Sequence, residues 1–221
     1  TGPLYGGDQE FRVRQEIMLG IGGVHALEAM GISPTVCHMN EGHSALLTLA
    51  LLRRQLGRKC CQEATEADIR VARQQCVFTT HTPVPAGHDQ FPVGMARHVL
   101  GPELSAALER THCCSDGELN MTHLALFGSR YVNGVALQHG EVSREMFPAY
   151  HVRAITNGVH ATTWVTPPFR ELFDRTIPEW RRDNLYLRYA CGIPSADIRA
   201  AHAAAKHALM EEVRRRTGQP F

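Results

Sequence analysis

The chain has 221 residues, of which 43% are hydrophobic and 20% charged, a composition typical of a globular protein and unlike that of a disordered one. Its formal net charge of +1 excludes the strongly basic balance of a dedicated nucleic-acid binder, and its length allows one large domain or one and a half. The sequence has neither a signal segment nor an apolar run of the roughly 18 residues that a membrane span needs. We therefore expect a cytoplasmic protein with no nucleic-acid or membrane partner.

Strands, polar loops and helices alternate along the chain. In chain order, the predicted elements are a helix capped by Asp8 and ended by Gly31, a strand over 35–39, a helix over 44–56, a helix capped by Thr65 that runs to about 75, a strand over 76–80, short helices over 93–100 and 103–110, a helix over 121–131, strands over 132–138 and 153–156, and an amphipathic helix over 195–216. This alternation predicts an α/β fold with a parallel sheet. Because such sheets bind ligands outside the carboxyl ends of their strands, the polar loops are expected at one edge.

The first polar loop carries a carboxylate and an imidazole, Glu41 and His43. Two interpretations are open: the loop caps the next helix, or Glu41 and His43 line a pocket for a sugar or a phosphate, whose oxygens need clustered donors and acceptors. A metal site built from His38, Glu41 and His43 is not expected, because the segment lacks the HExxH spacing that places two imidazoles one helical turn apart.

Two later strand ends carry His81 and Asn157. A single histidine is usually a structural residue, but Pro83 and Pro85 stiffen the loop after His81, and a fixed main-chain carbonyl can stabilise developing positive charge. The pair Asn157-Gly158 is either a turn or an amide held at the edge of a cleft.

Other signals are interpreted as structural. The segment Gly20–Gly23 lacks the preceding strand and the third glycine of a dinucleotide fingerprint, and is expected to be a close helix contact. Of the two lysines, Lys59 ends a polar helix beside Arg58 and Lys206 lies in an alanine-rich exposed helix, so neither is expected to be a desolvated, imine-forming lysine. Seven cysteines without CxxC spacing indicate neither a disulfide framework nor a zinc ribbon.

Taken in order, the motifs resemble those of one family, the bacterial-type α-glucan (glycogen, starch or maltodextrin) phosphorylases. The resemblance covers essentially the whole chain and rests on the segments Leu4–Arg12, His38–Leu46, Phe78–Asp89, His139–Met146 and Thr156–His160. It implies a Rossmann-like lobe of a two-lobed GT-B glycosyltransferase. It also implies transfer of a glucosyl unit from the non-reducing end of an α-1,4-glucan to inorganic phosphate, which gives glucose 1-phosphate with retention.

The same resemblance implies roles for four residues. His81 would face the reacting glucosyl unit, Asn157 would bind the 6-hydroxyl of the sugar, and Glu41 and His43 would line the adjoining pocket. Many animal and plant members carry Asp-Thr-His where this chain has Glu41-Gly42-His43.

The resemblance also divides the chain into two parts. Residues 1–157 would be the latter part of the N-terminal lobe, and 158–221 the interlobe connection and first helices of an incomplete C-terminal lobe. The family uses pyridoxal phosphate, bound by a lysine that is expected outside this chain, so we expect an interior fragment that neither binds the cofactor nor is active alone. The complete protein is expected to be a homo-oligomer. The alternatives are a glycogen synthase-like GT-B glycosyltransferase and a non-catalytic glucan-binding module.

Overall fold

The computed structural model describes residues 7–111 and 113–219. The chain divides into two compact units, Thr1–Asn157 and Gly158–Phe221, each of which is described by itself. The first three residues of the Leu4–Arg12 motif lie outside the described residues.

The first unit is built around a parallel sheet. Its elements are α1 (Gln9–Ala29), β1 (Cys37–Asn40), α2 (Leu47–Leu56), α3 (Glu66–Gln74), β2 (Cys76–Thr80), β3 (Gln90–Pro92), α4 (Val93–Glu109), β4 (Cys114–Ser115), β5 (Glu118–Asn120), α5 (Met121–Phe127), β6 (Tyr131–Gly134), α6 (Leu137–Met146) and β7 (Val152–Ala154). Four strands pair in the order β1-β2-β6-β7, all parallel, as the alternating pattern predicts. Three short strands form a separate antiparallel sheet in the order β3-β5-β4.

The strand register brings the carboxyl ends of the parallel sheet to one edge. Asn40 pairs with Thr79, Thr80 with Gly134, and Gly134 with Ala154. The central strand β2 is anchored below this edge by Cys76 and Phe78, both completely buried in the core. The loops that follow the strands therefore start from fixed and adjacent positions.

Local sequence signals explain boundaries of α1 and α3. Asp8 caps α1 by accepting a hydrogen bond from Phe11 N at 2.8 Å, and the predicted helix stop Gly31 has a positive φ of 69°. Thr65 and Asp68 form the predicted capping box of α3. These caps satisfy backbone groups that a helix end leaves without intrahelical partners.

Two of the predicted elements extend too far. The predicted strand over 132–138 stops at Gly134, because Leu137 begins α6, and the predicted helix over 121–131 stops at Phe127. Such short apolar segments fit a buried strand and a buried helix equally well. The two short helices predicted over 93–100 and 103–110 are confirmed: α4 is broken at Gly101, which has a non-helical φ of 77° and precedes Pro102.

The second unit consists of helical segments around a small core of its own. Its elements are α7 (Ala161–Trp164), α8 (Pro167–Thr176), a 3₁₀ segment over Asn184–Gly192 and α9 (Ser195–Thr217). Its buried core is formed by Leu172, Ile177, Trp180, Ile193 and Ala201. Among the helices that the structure describes in both units, none has the length and apolar character to cross a membrane.

Gly20 is the point at which α1 meets the start of α2. A Cβ atom at this position would lie 2.8 Å from Leu47 N, closer than real Cβ atoms approach other atoms, and 3.1 Å from Ser44 O, which is a tight contact. Gly23, one turn further along α1, faces open space. The glycine-rich segment is thus a helix contact, as predicted, and Gly20 is its contacting residue.

We predict that Gly20→Ala lowers the free energy of unfolding by about 1 to 3 kcal/mol, because the added methyl group must push α1 away from the backbone of α2. The matched control Gly23→Ala should raise it by about 0.5 to 1 kcal/mol, since alanine loses less conformational entropy in a helix. Urea unfolding followed by circular dichroism measures both. Equal changes in the two variants would rule out the described contact.

Candidate functional site

Glu41 joins the ends of two neighbouring strands. Its backbone N–H donates to Thr79 O at 3.0 Å, directly after β1. Its carboxylate oxygen Oε1 accepts hydrogen bonds from the backbone N–H of His81 and from Thr82 Oγ1, the latter at 3.1 Å. The structure therefore brings Glu41 and His81, two of the four predicted site residues, into direct contact.

His81 and Asn157 present exposed side chains at this edge. Each follows a strand of the parallel sheet, His81 directly after β2 and Asn157 three residues after β7. Asn157 is anchored by a backbone hydrogen bond to Val135 O, which follows β6, at 3.0 Å. Within the described residues, neither side chain has a hydrogen-bond partner, and the structure does not bring the two into contact.

A polar chain crosses the sheet just below the edge. His38 Nε2 lies 2.7 Å from Thr79 Oγ1, which in turn donates to Asn133 Oδ1 at 3.0 Å. These residues belong to β1, β2 and β6, so the hydrogen bonds connect three neighbouring strands. His38 is thereby engaged within the sheet, and the polar chain stiffens the strands on which the edge loops stand.

His43 lies in a second cluster, with Arg12 and Asp89. Arg12 Nη2 is 2.9 Å from Asp89 Oδ2 and 3.1 Å from His43 Nδ1, and His43 Nδ1 is 3.0 Å from Asp89 Oδ2. These three side chains line a cleft of about 460 Å³ together with residues of the α1 amino terminus. Among the four predicted residues, His43 is the one that lines this cleft.

A buried carboxyl group, Glu16, lies behind this cluster. Its side chain is 2% exposed, its oxygens have no hydrogen-bond partner among the described residues, and Arg12 Nε is 3.4 Å from Oε1. Burial, with the nearby Asp89 charge, raises the pKa of Glu16 to about 9, against the opposing effect of Arg12. Glu16 is therefore a neutral acid at pH 7.

The pKa of Asp89 is shifted in the opposite direction to that of Glu16. The hydrogen bond from His43, followed by the interactions with Arg12, holds the pKa of Asp89 well below its usual range although the group is partly desolvated. The two carboxyl groups thus differ in protonation at neutral pH, Asp89 as an anion and Glu16 as an acid. Asp89 and Arg12 thus form an ion pair within the cluster, with the two atoms Oδ2 and Nη2 2.9 Å apart.

The described residues do not form a convincing metal site. Glu16, His43 and Asp89 have ligand-type atoms within 4.8 Å of one another. However, Arg12 already contacts Asp89 Oδ2 and His43 Nδ1, the atoms that a cation would need, and its positive charge would repel the ion.

The lysines of the chain do not fit pyridoxal phosphate. Lys59 and Lys206 are both exposed, whereas an imine-forming lysine is activated by desolvation or by a nearby cation in a closed pocket. Neither lysine has the closed surroundings that an imine-forming lysine needs.

Sequence reasoning missed Arg12, Glu16 and Asp89. Arg12 and Asp89 are the last residues of two of the motifs, Leu4–Arg12 and Phe78–Asp89. A charged residue at the end of each motif is the sequence feature that could have identified them as site residues. Glu16 gave a weaker signal, one acid among the apolar positions of α1, and its burial depends on how α1 packs.

The comparisons with known proteins agree on one enzyme family. The chain is 35% identical to a maltodextrin phosphorylase of Thermococcus litoralis over 96% of its own length and 27% of that protein. It is 38% identical to a glycogen phosphorylase of Mycobacterium tuberculosis over 78% of its own length and 23% of that protein. A glycogen phosphorylase of Aquifex aeolicus is 29% identical over 96% of the chain and 33% of that protein. No protein-family model matches the chain.

The parallel α/β sheet and these relatives define the chain as a Rossmann-like part of a GT-B glycosyltransferase. It belongs to the α-glucan phosphorylase family, to which the glycogen and maltodextrin phosphorylases belong. The chain spans about a quarter to a third of the length of these curated relatives.

We predict that the free energy of unfolding falls as pH rises from about 5 to 9, because Glu16 keeps its proton in the folded state. Because its pKa is raised to about 9 in the folded chain, the folded state holds a proton that the unfolded state releases near pH 4.5. This contribution is complete below pH 4.5 and is lost as pH approaches 9, at up to about 1.4 kcal/mol per pH unit.

Glu16→Gln should remove this dependence, because glutamine imitates the neutral acid at every pH. The difference in unfolding free energy between Glu16→Gln and the wild type, from urea titrations at pH 5, 7 and 8.5, should grow with pH. The control is Glu10→Gln on the same helix, whose carboxylate is 42% exposed and pairs with Arg14. A difference that stays constant with pH would mean that Glu16 is ionised in the folded chain.

Proposed function

We propose that the protein is an α-glucan phosphorylase, which transfers the terminal glucosyl unit of an α-1,4-glucan to inorganic phosphate and releases glucose 1-phosphate with retention. The observation that supports it most directly is the fixed backbone of His81 at the carboxyl end of β2, in a chain of this family. A carbonyl held in place can stabilise the positive charge that develops on the sugar without first having to reorient.

We assign four residues to the sugar site. His81 faces the reacting glucosyl unit with its carbonyl and imidazole, and Asn157 binds the 6-hydroxyl through its exposed side-chain amide. His43, at the cleft with Arg12 and Asp89, lines the adjoining pocket. Glu41 borders it with Oε2, which has no hydrogen-bond partner among the described residues and is available to a ligand hydroxyl.

The lining of the cleft supports an uncharged, hydroxyl-rich ligand. Two carboxylates, Asp8 and Asp89, line it together with Arg12, so the cleft does not favour a phosphate group by an excess of guanidinium groups over carboxylates, but it offers donors and acceptors. A sugar uses both kinds of group. The phosphate substrate is accordingly proposed to bind elsewhere.

The cofactor and the assembly follow from the family. We propose pyridoxal phosphate as the cofactor of the complete enzyme, held by a lysine other than Lys59 and Lys206, and a homo-oligomeric assembly. Unit Thr1–Asn157 is assigned to the N-terminal lobe, and Gly158–Phe221 to the interlobe connection and the start of the C-terminal lobe.

In the full-length protein, His81→Ala and Asn157→Ala should each lower turnover by about tenfold or more, because each removes a hydrogen bond to the reacting sugar. The assay is the release of glucose 1-phosphate from maltodextrin and inorganic phosphate. Both side chains are exposed, so unfolding free energies should stay near those of the wild type.

The matched control is His25→Ala, an exposed histidine on α1. It should change neither turnover nor stability. Wild-type turnover in His81→Ala would exclude the assigned role of that imidazole. Transfer from a nucleotide-diphosphate sugar in place of phosphorolysis would identify a glycogen synthase-like enzyme, and glucan binding without either reaction would identify a binding module.

A further inference from the structure

Glu41 has a backbone conformation that is unusual for any residue other than glycine. Its φ is 66° and its ψ 172°, a region that side-chain-bearing residues occupy at an energetic cost. Such strain persists only where the surroundings fix it. Here, the Glu41 N–H is tied to Thr79 O, and the next residue, Gly42, packs so closely that a Cβ there would lie 3.2 Å from Thr122 N.

This conformation directs the side chain of Glu41 across the sheet edge to the loop after β2. Oε1 accepts from the amide of His81 and from the hydroxyl of Thr82. The ladder of β2 and β6 ends at Thr80, and among the described residues the Glu41 carboxylate is the acceptor for the next amide. The Glu41 carboxylate thus holds the two residues that follow β2, His81 and Thr82, beyond the last strand pairing.

Thr82 is held from its other side as well. A Cβ atom at Gly87 would lie 2.5 Å from Thr82 Cγ2, so the methyl group packs directly on the glycine backbone. The hydroxyl contacts Glu41 while the methyl group contacts Gly87, and Pro83 restricts Thr82 to extended conformations. These contacts hold the loop on both sides of Thr82, and the Glu41 carboxylate is the polar group that holds the His81 backbone.

We propose that Glu41 is a positioning residue that acts through His81: its carboxylate fixes the backbone of His81 and Thr82, and the strained conformation of Glu41 is retained because it delivers this contact. The relevance of this role to catalysis rests on the proposed function, whereas the contact itself can be tested in the isolated chain.

The test compares the wild type with Glu41→Ala, Glu41→Gly and Glu41→Gln, and measures exchange of the His81 amide hydrogen by NMR together with global unfolding. Loss of a hydrogen bond to a charged acceptor should speed His81 exchange by about tenfold or more in Glu41→Ala and Glu41→Gly. Glu41→Gln keeps an acceptor oxygen and should restore most of the protection.

Glycine at position 41 separates the contact from stability. Because glycine relieves the positive φ, Glu41→Gly should unfold at higher urea than Glu41→Ala while its His81 amide exchanges equally fast. The matched control is Asp116→Gly, which relieves a φ of 52° in an exposed turn and should leave His81 exchange unchanged. Wild-type protection of His81 in Glu41→Gly, or protection that follows global stability across the series, would overturn the proposal.

A kinetic measurement on the full-length protein distinguishes this inference from the proposed function. Glu41→Gly should lower kcat for phosphorolysis by about tenfold, with partial recovery in Glu41→Gln. A wild-type protein without phosphorolysis overturns the proposed function, and the exchange data then decide the anchoring role alone. Normal kcat in Glu41→Gly together with fast His81 exchange overturns the catalytic relevance of the anchor.

Discussion

The hydrogen-bonded register of four parallel strands is the constraint on which the rest of the first unit depends. It aligns the ends of β1, β2, β6 and β7, and only this alignment allows a side chain from the loop after β1 to reach the backbone after β2. The polar chain from His38 through Thr79 to Asn133 lies directly below and links three of these strands by side chains as well. Displacing β1 by one residue would turn His38 to the other face and break both connections.

The cleft beside this edge is organised by a different principle, the balance of charge in a partly buried space. Helix α1 contributes Arg12 and Glu16, while the loops after β1 and β2 contribute His43 and Asp89. Two ionised carboxylates would be costly here, and the raised pKa of Glu16 avoids that cost. Arg12 links α1 to the loops after β1 and β2, so the position of the helix and the composition of the cleft are coupled.

The sequence predicted the elements that local physics controls. Strand Cys76–Thr80 matches its predicted bounds, and the caps at Asp8 and Thr65 lie where their side chains indicated, because caps and buried strands depend on neighbouring residues. The small antiparallel sheet was missed because its strands have two or three residues, too few for a period to be recognised. The contact of Glu41 with His81 was equally inaccessible, since a positive φ at a glutamate is not expected from sequence and the partner is 40 residues away.

The neutral state of Glu16 also changes the net charge of the folded chain. The formal net charge of +1 counts every aspartate and glutamate as an anion. With its pKa raised to about 9, Glu16 contributes no charge at pH 7 in the folded chain, and the folded molecule is one unit more positive than the formula states. The folded and unfolded chains therefore migrate as different ions in an electric field, and unfolding releases a proton into a neutral buffer.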